Sequence, residues 1–223
     1  MSSPTSAVRL HTYWRSSAAY RVRIALALKG IAYESVCWHM ANGEHLQPSY
    51  REIAPFGLVP VLEIDGLRLQ QSLAILEYLE ERQPAPSLLP ADRAQRAHAR
   101  ALAQLVACEI HPLNNLRVLK RLRGALQADE AQVHDWYRHW CDEGFRAFEA
   151  ALPPEGDGPF ALGAQPSIVE CCLIPQIYNA RRFDVQMDRY PRIARIAQAC
   201  AALPAFEAAR PERQPDAPAP VAA

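Results

Sequence analysis

Neither sign of charge prevails in this chain: 24 Lys and Arg stand against 24 Asp and Glu. There is no basic block either, so the charge pattern gives no reason to expect nucleic acid or an anionic membrane as a partner. The six cysteines contain no C-x-x-C pair, and Cys171 and Cys172 are adjacent and apart from the rest. That pattern is neither a disulfide framework nor a zinc site, so no metal is expected, and the cysteines read as small apolar fillers. No apolar run is long enough to span a bilayer. The opening MSSPTSAVRL lacks a basic segment followed by an apolar one. No secretory signal is therefore expected, and a reducing, cytoplasmic setting is the default. No internal repeat is visible.

What is present is a chain of 223 residues, half of them apolar. That is long for one domain, comfortable for two, and enough to bury a core. The first part mixes strand and helix signals. VRLHTY reads as a strand; Tyr20 to Lys29 has helical apolar spacing stopped by Gly30; YESVCW alternates like a strand. In GLVPVLEIDGLRLQQS two apolar runs flank Asp65-Gly66, the pair favoured in a two-residue hairpin turn. Ser72 can then N-cap a helix from Leu73 to about Glu81. The strand–helix–strand start implies a parallel pair with a right-handed crossover, and the hairpin adds an antiparallel edge.

RQPAPSLLPADR is a proline-rich break. Beyond it strand signals vanish, and Ala91 to Leu152 is rich in helix formers. Ser167 and Glu170 fit a capping box at the start of a further helix, Pro191 opens another, and RPERQPDAPAPVAA has the composition of a disordered end. The expected organisation is an α/β domain over 1–83, a linker over 84–91, an all-helical domain over 92–210 and a flexible tail over 211–223.

Two places carry candidate chemistry. Ser16 and Ser17 sit where the first strand hands over to the first helix. A helix N-terminus presents unpaired N–H groups and partial positive charge, and with a hydroxyl donor it can stabilise a thiolate. The next positions are Ala18 and Ala19, so a thiolate bound here comes with a ligand. Gln71 and Ser72 sit at the start of another helix, a ready site for a carboxylate. Pro60 inside a strand-like run is tolerated at the strand's start. A ligand with a thiol at one end and a carboxylate at the other fits both places, and glutathione answers that description. The plainer reading of Ser16, Ser17 and Ser72 is that they are N-caps only. Likewise His111 can satisfy a backbone carbonyl, Arg182 can complement a helix dipole, and His134 and His139 read as surface.

Longer segments carry a family resemblance. SSAAYRVRIAL resembles the S-S-C-x-x-R-V-R-I-A-L signature of zeta-class glutathione transferases, the group holding the maleylacetoacetate and maleylpyruvate isomerases. LVPVL, QSLAILEYLE, PSLLP, EIHPLNNLRVLKRL, CLIPQIYNARRF and RQPDAP are similar to further family segments in the same order, over nearly the whole chain. Two positions depart from the pattern: Ala18 replaces the signature cysteine and Glu170 an N-capping aspartate.

The resemblance implies an α/β plus all-α architecture, a thioredoxin-like domain followed by a helical one, with glutathione as cofactor and a homodimeric assembly. It implies that Ser16 holds the thiolate with Ser17 beside it. Val59 and Pro60 would meet the tripeptide backbone, Gln71 and Ser72 its γ-glutamyl carboxylate, and His45, His111 and Asn115 would add glutathione contacts. Arg182 would bind the substrate carboxylate, with Arg15 and Arg117 the next candidates. The implied reaction is isomerisation of a maleyl-type diketo acid, maleylacetoacetate to fumarylacetoacetate. Thiolate addition to the cis double bond, rotation about the resulting single bond and elimination give the trans product. The alternatives are maleylpyruvate as substrate, general glutathione transfer, or a non-catalytic binding module of the same fold.

Overall fold

The computed structural model describes residues 7–154 and 158–219. The first six residues of the opening stretch, residues 155–157 and the last four of the expected tail lie outside the described residues. The chain forms two units: one runs to Ser87 and resumes at Leu203, and the other spans Leu88–Ala202.

The first unit holds β1 (Arg9–Thr12), α1 (Ser17–Leu28), β2 (Glu34–Cys37), the single turn α2 (Pro48–Arg51), β3 (Val61–Ile64), β4 (Leu67–Gln70) and α3 (Ser72–Arg82). The sheet order is β2-β1-β3-β4, with β1 and β2 parallel and the other pairs antiparallel, as the strand–helix–strand and hairpin signals require. Ile64 pairs with Leu67 across a two-residue turn in which Asp65 (φ 52°) and Gly66 (φ 78°) are both left-handed. Asn, Asp and Gly tolerate this conformation best, which explains the signal's strength. Arg82 and the Tyr78 hydroxyl close the turn by donating to the Asp65 carboxylate.

Helix α1 begins at Ser17 rather than Tyr20, because Ser16 caps it and Ala18 and Ala19 extend it. Its Val22, Ile24, Ala25 and Leu26 are fully buried. Arg21 and Arg23 are buried as well, because α3 flanks α1 and so does α9 (Pro204–Ala209), which returns from the end of the chain. The expected flexible tail is therefore structured in its described part. Pro211 and Gln214 are buried, and the Gln214 amide donates to the carbonyls of Ala208 and Arg210. Composition suggested disorder, but these buried anchors fix residues 211–219, and the helical unit ends at Ala202 rather than at 210.

The second unit contains α4 (Arg93–Gln104), continued by a π-helical segment over Leu105–Ile110, then α5 (Leu116–Ala125), α6 (Glu130–Ala151), α7 (Ile168–Arg182) and α8 (Pro191–Ala201). Phe145, Phe148, Val169, Leu173 and Ile193 are fully buried in its core. A Cβ on Gly144 would lie 2.2 Å from Ile110 Cγ1, which explains a glycine in the middle of a long helix. The Ser167–Glu170 capping box is closed. Glu170 is fully buried and its carboxylate accepts from Ala161 N (2.7 Å), Ser167 N (2.7 Å) and Ser167 Oγ (2.8 Å). Cys141, Cys171, Cys172 and Cys200 are buried fillers, Cys37 is half-buried, and Cys108 departs from the expectation by being exposed.

Candidate active site

Strand register, more than any single residue, gathers the predicted positions of the first unit. Val36, His11, Val61 and Gln70 form one row across all four strands. On one side of that row β1 runs on to Ser16, β2 runs on toward His45, β4 runs on to Gln71 and Ser72, and β3 is entered from Val59 and Pro60. One edge of the sheet thus receives every glutathione-contact candidate of this unit. A one-residue slip in any pairing would disperse them.

Ser16 is the N-cap of α1 (φ −71°, ψ 118°), its Oγ accepting from Ala19 N at 3.2 Å. The capping reading is therefore correct for Ser16, and it leaves the chemical reading open. A hydroxyl accepting one bond still has its proton to donate. Ser17 is the buried first residue of the helix. The first turns of α1 and α3 contain no acidic residue, so no side-chain charge in either turn opposes an anion.

At the second helix start the expectation is corrected. Ser72 is the first helical residue, and Gln71 is the N-cap, with no side-chain capping bond. Gln71 has φ 68° and ψ 113°, a conformation costing about 1–3 kcal/mol for a residue with a Cβ. Its side chain is exposed. Ser72 is buried, and its Oγ accepts from Arg21 Nη1 at 3.1 Å. A buried guanidinium thus stands behind a helix N-terminus whose leading amides have no intrahelical acceptor, which suits a carboxylate.

Val59 and Pro60 precede the ladder, so the Val59 peptide groups are not used by the sheet. The Val59–Pro60 bond is cis. The Tyr50 hydroxyl fixes the approach by donating to Leu58 O at 2.8 Å. His45 is buried in a 3₁₀ turn over Glu44–Leu46. Gly57 (φ 63°) packs over this turn, and a Cβ there would come within 2.7 Å of His45 O. The Arg15 guanidinium lies 5.3 Å from the Trp14 ring centroid.

The remaining candidates belong to the second unit. His111 closes the π segment, its N–H donating to Val106 O at 3.0 Å. Asn115 N-caps α5, its Oδ1 accepting from Arg117 N at 3.2 Å, and Arg117 is exposed in the first turn of that helix. The side chain buried here is instead that of Asn114, donating to Tyr137 O at 3.2 Å. Arg182 ends α7, exposed, with Nη1 donating to Asn179 Oδ1 at 3.2 Å and its guanidinium 5.9 Å from the Phe183 ring centroid. His139 is exposed, whereas His134 is half-buried against Phe183. A cavity of about 610 Å³ in this unit, lined by residues including His98, Phe160 and Arg192, contains none of the predicted positions.

No cysteine of the first unit competes as a nucleophile: burial, followed by the facing Asp216 carboxylate, pushes the Cys37 thiol up to about 11. Among the described residues no group of three or more His, Cys, Asp or Glu is placed to hold a metal ion. The donor set fits a thiol-bearing peptide anion: a serine hydroxyl on one helix start, uncommitted strand-entry peptide groups, and a second helix start with an arginine behind it.

Residues 15–82 match the model of the glutathione S-transferase N-terminal domain. The chain is 49% identical over 211 residues to the probable maleylacetoacetate isomerase of Vibrio cholerae, covering 93% of this chain and 97% of that one. The holo structure of a maleylpyruvate isomerase, a bacterial zeta-class glutathione S-transferase, superposes with a TM-score of 0.92 at 44% identity, covering 94% of this chain and all of that one.

The chain belongs to the zeta-class glutathione transferases.

A further relative, the maleylacetoacetate isomerase of Anaeromyxobacter dehalogenans, was solved with glutathione in its active site. It matches with a TM-score of 0.85 at 45% identity over 95% of this chain and 98% of that one. Glutathione is thus the cofactor of this family, and the fold is that expected from sequence, a thioredoxin-like domain with an all-helical one. Three features of this zeta-class chain were not anticipated from sequence: Arg21 behind Ser72, Arg23 behind the loop before Ser16, and the strained Gln71. The only signal for the arginines is their position, two cations in an otherwise apolar helix.

Proposed function

We propose that this chain catalyses glutathione-dependent cis–trans isomerisation of a maleyl-type diketo acid, with maleylacetoacetate converted to fumarylacetoacetate. The observation that supports the reading is the sheet edge beyond the Val36–His11–Val61–Gln70 row, toward which the strands lead Ser16 at one helix start and Gln71 and Ser72 at another. Bound glutathione supplies the thiol nucleophile that makes rotation about the substrate's cis double bond possible and is then regenerated. The chain's own residues do the rest. Ser16 donates a hydrogen bond from its hydroxyl to the thiolate sulfur, and the α1 N-terminus adds its partial positive charge, with Ser17 beside it. The Val59 peptide, preceding Pro60, pairs with the tripeptide backbone. Gln71 and Ser72 take the γ-glutamyl carboxylate, while His45, His111 and Asn115 add contacts to glutathione. Arg182 holds the substrate carboxylate in a two-pronged hydrogen bond, and Arg15 and Arg117 stand next for that role. Donors aimed at the oxygen where charge develops lower the barrier.

A second reading, maleylpyruvate as substrate, is favoured by the TM-score of 0.92 to a maleylpyruvate isomerase. We further infer that the protein works as a homodimer in the cytoplasm, which sedimentation and fractionation test. The deciding experiment is a spectrophotometric assay of both maleyl acids with and without glutathione. Turnover of maleylacetoacetate only when glutathione is present is expected. Preference for maleylpyruvate selects the second reading. Turnover of neither, with glutathione conjugated to a simple electrophile, would leave a general transferase.

A further inference from the structure

The loop between β1 and Ser16 is held by two side chains outside it, and both tie it to the end of the chain. Arg23 is fully buried on α1. Its Nη2 donates to Trp14 O at 2.9 Å, and its Nη1 donates to Thr12 Oγ1 at 3.2 Å and to Tyr13 O at 3.4 Å. Its Nε donates to Ala209 O at 3.0 Å, at the end of α9. One guanidinium therefore binds both the loop and the returning C-terminal segment. At the other end of the same residue, Trp14 N donates to Asp216 Oδ2 at 2.9 Å, across 202 positions of sequence. Ser16 N completes the arrangement by donating to Tyr13 O at 3.0 Å.

β1 ends at Thr12, so the Trp14 amide has no place in the sheet, and Asp216 is the acceptor it has. The carboxylate is well placed to stay: it is half-buried, and Gln214 folds the segment before it back on Ala208 and Arg210.

We propose that residues 203–219 form a strap that sets the position of the Tyr13–Ser16 loop, with Asp216 as its clasp and a positioning residue for the glutathione thiol. The proposal rests on Ser16 being the thiolate donor. A donor must be aimed closely at the charge it stabilises, and a misplacement of about 1 Å costs about 10²-fold in rate. Trp14, two residues before Ser16, is gripped at its N–H by Asp216 and at its C=O by Arg23, so the strap fixes the direction from which the α1 N-cap is entered.

The test uses the full chain carrying Asp216→Ala or Asp216→Asn. It measures glutathione affinity by calorimetry, kcat at saturating glutathione, hydrogen exchange at the Trp14 amide, and the melting temperature. Loss of one net hydrogen bond predicts a rise in glutathione Kd of about 2- to 12-fold for Asp216→Ala, with a fall in kcat and faster exchange at Trp14. Asp216→Asn keeps an oxygen for the amide and recovers most of that loss. Should Asp216→Ala not fold, Asp216→Leu fills similar space without an acceptor and carries the same expectation. Faster Trp14 exchange with Kd and kcat as in the wild type would overturn the proposal, leaving the strap a stabilising contact only. Equal losses in the Asn and Ala variants would overturn the hydrogen bond as its agent. If the wild-type protein itself does not bind glutathione, the proposed function fails, and the exchange at Trp14 still reports on the strap.

Discussion

Arg21 on α1 donates from Nη1 to Ser72 Oγ on α3 at 3.1 Å, both side chains being buried. The bond joins the two helices whose N-termini form the candidate glutathione site. It also places a full positive charge behind the one assigned to the γ-glutamyl carboxylate. Replacing Arg21 by Met keeps the bulk of the side chain and removes both effects. Loss of a hydrogen bond from a charged donor predicts a destabilisation of about 1.5–3 kcal/mol. Glutathione affinity is expected to fall about tenfold or more. Calorimetry showing wild-type affinity in a folded Arg21→Met protein would remove the charge from the account.

Ser16 both caps a helix and is assigned the thiolate. Substituting Asp separates these roles. Asp caps about as well as Ser, so the melting temperature is expected to hold within the range of exposed surface changes. A carboxylate has no proton to donate and repels a thiolate, so turnover is expected to fall by about 10²-fold or more. Ser17→Ala is expected to cost less. An active Ser16→Asp protein would show that the residue is a cap and nothing else.

Gln71 holds a left-handed φ of 68° that a Cβ disfavours. Gln71→Gly relieves that strain and removes a side chain assigned to the ligand. The melting temperature is expected to stay level or rise while glutathione binding weakens several-fold. A drop in melting temperature with binding intact would mean that the side chain serves the fold.

His11 lies in the row that defines the site. It is buried, its Nδ1 accepts from Trp38 Nε1 at 3.1 Å, and its Nε2 stands 3.5 Å from Glu63 Oε1. Burial lowers its pKa from the ordinary histidine value of 6.5, against an opposing pull from Glu63. The unfolded chain therefore takes up the proton first on acidification. The neutral imidazole's contribution is complete above pH 6.5 and is lost as pH falls through the lower folded value. Urea midpoints should decline from pH 8 to pH 5 in the wild type and decline less in His11→Asn, whose Oδ1 can still accept from Trp38. Parallel declines in the two proteins would rule out His11 as the titrating group.

Glu170 accepts three donors in a fully buried capping box. In Glu170→Gln an amide NH₂ must face those N–H and O–H groups, which predicts a destabilisation of about 1–3 kcal/mol. Glutathione affinity of the folded protein should not change. A shift in affinity matching the loss in stability would couple this capping box to the ligand site.

Legibility from sequence followed how locally each feature is encoded. The Asp65-Gly66 turn fixed the hairpin, the hairpin fixed the register, and the register brought Val59, Gln71 and Ser72 to one edge. The Ser167–Glu170 box was readable for the same reason. Ser72 was expected as the N-cap in place of Gln71, because a left-handed φ leaves no mark on a residue type that usually avoids it. The burial of Arg23 and the folding of residues 211–219 depend on contacts between segments about 190 positions apart, and composition alone pointed the other way. The capping bond that Asn115 Oδ1 accepts at α5 had no separate signal, and it engages only the oxygen of a side chain whose NH₂ can still donate to a ligand.

The central claim, that the start of α1 stabilises a bound thiolate through Ser16, is tested most directly by titrating the ultraviolet absorbance of the glutathione thiolate in complex with the protein. The wild type is expected to bind a thiol titrating well below the value of about 8.5 for a free thiol. In Ser16→Ala the transition should return most of the way toward the free value while glutathione remains bound. Titration at the free-thiol value in the wild-type complex, or an unchanged low value in Ser16→Ala, would contradict the account.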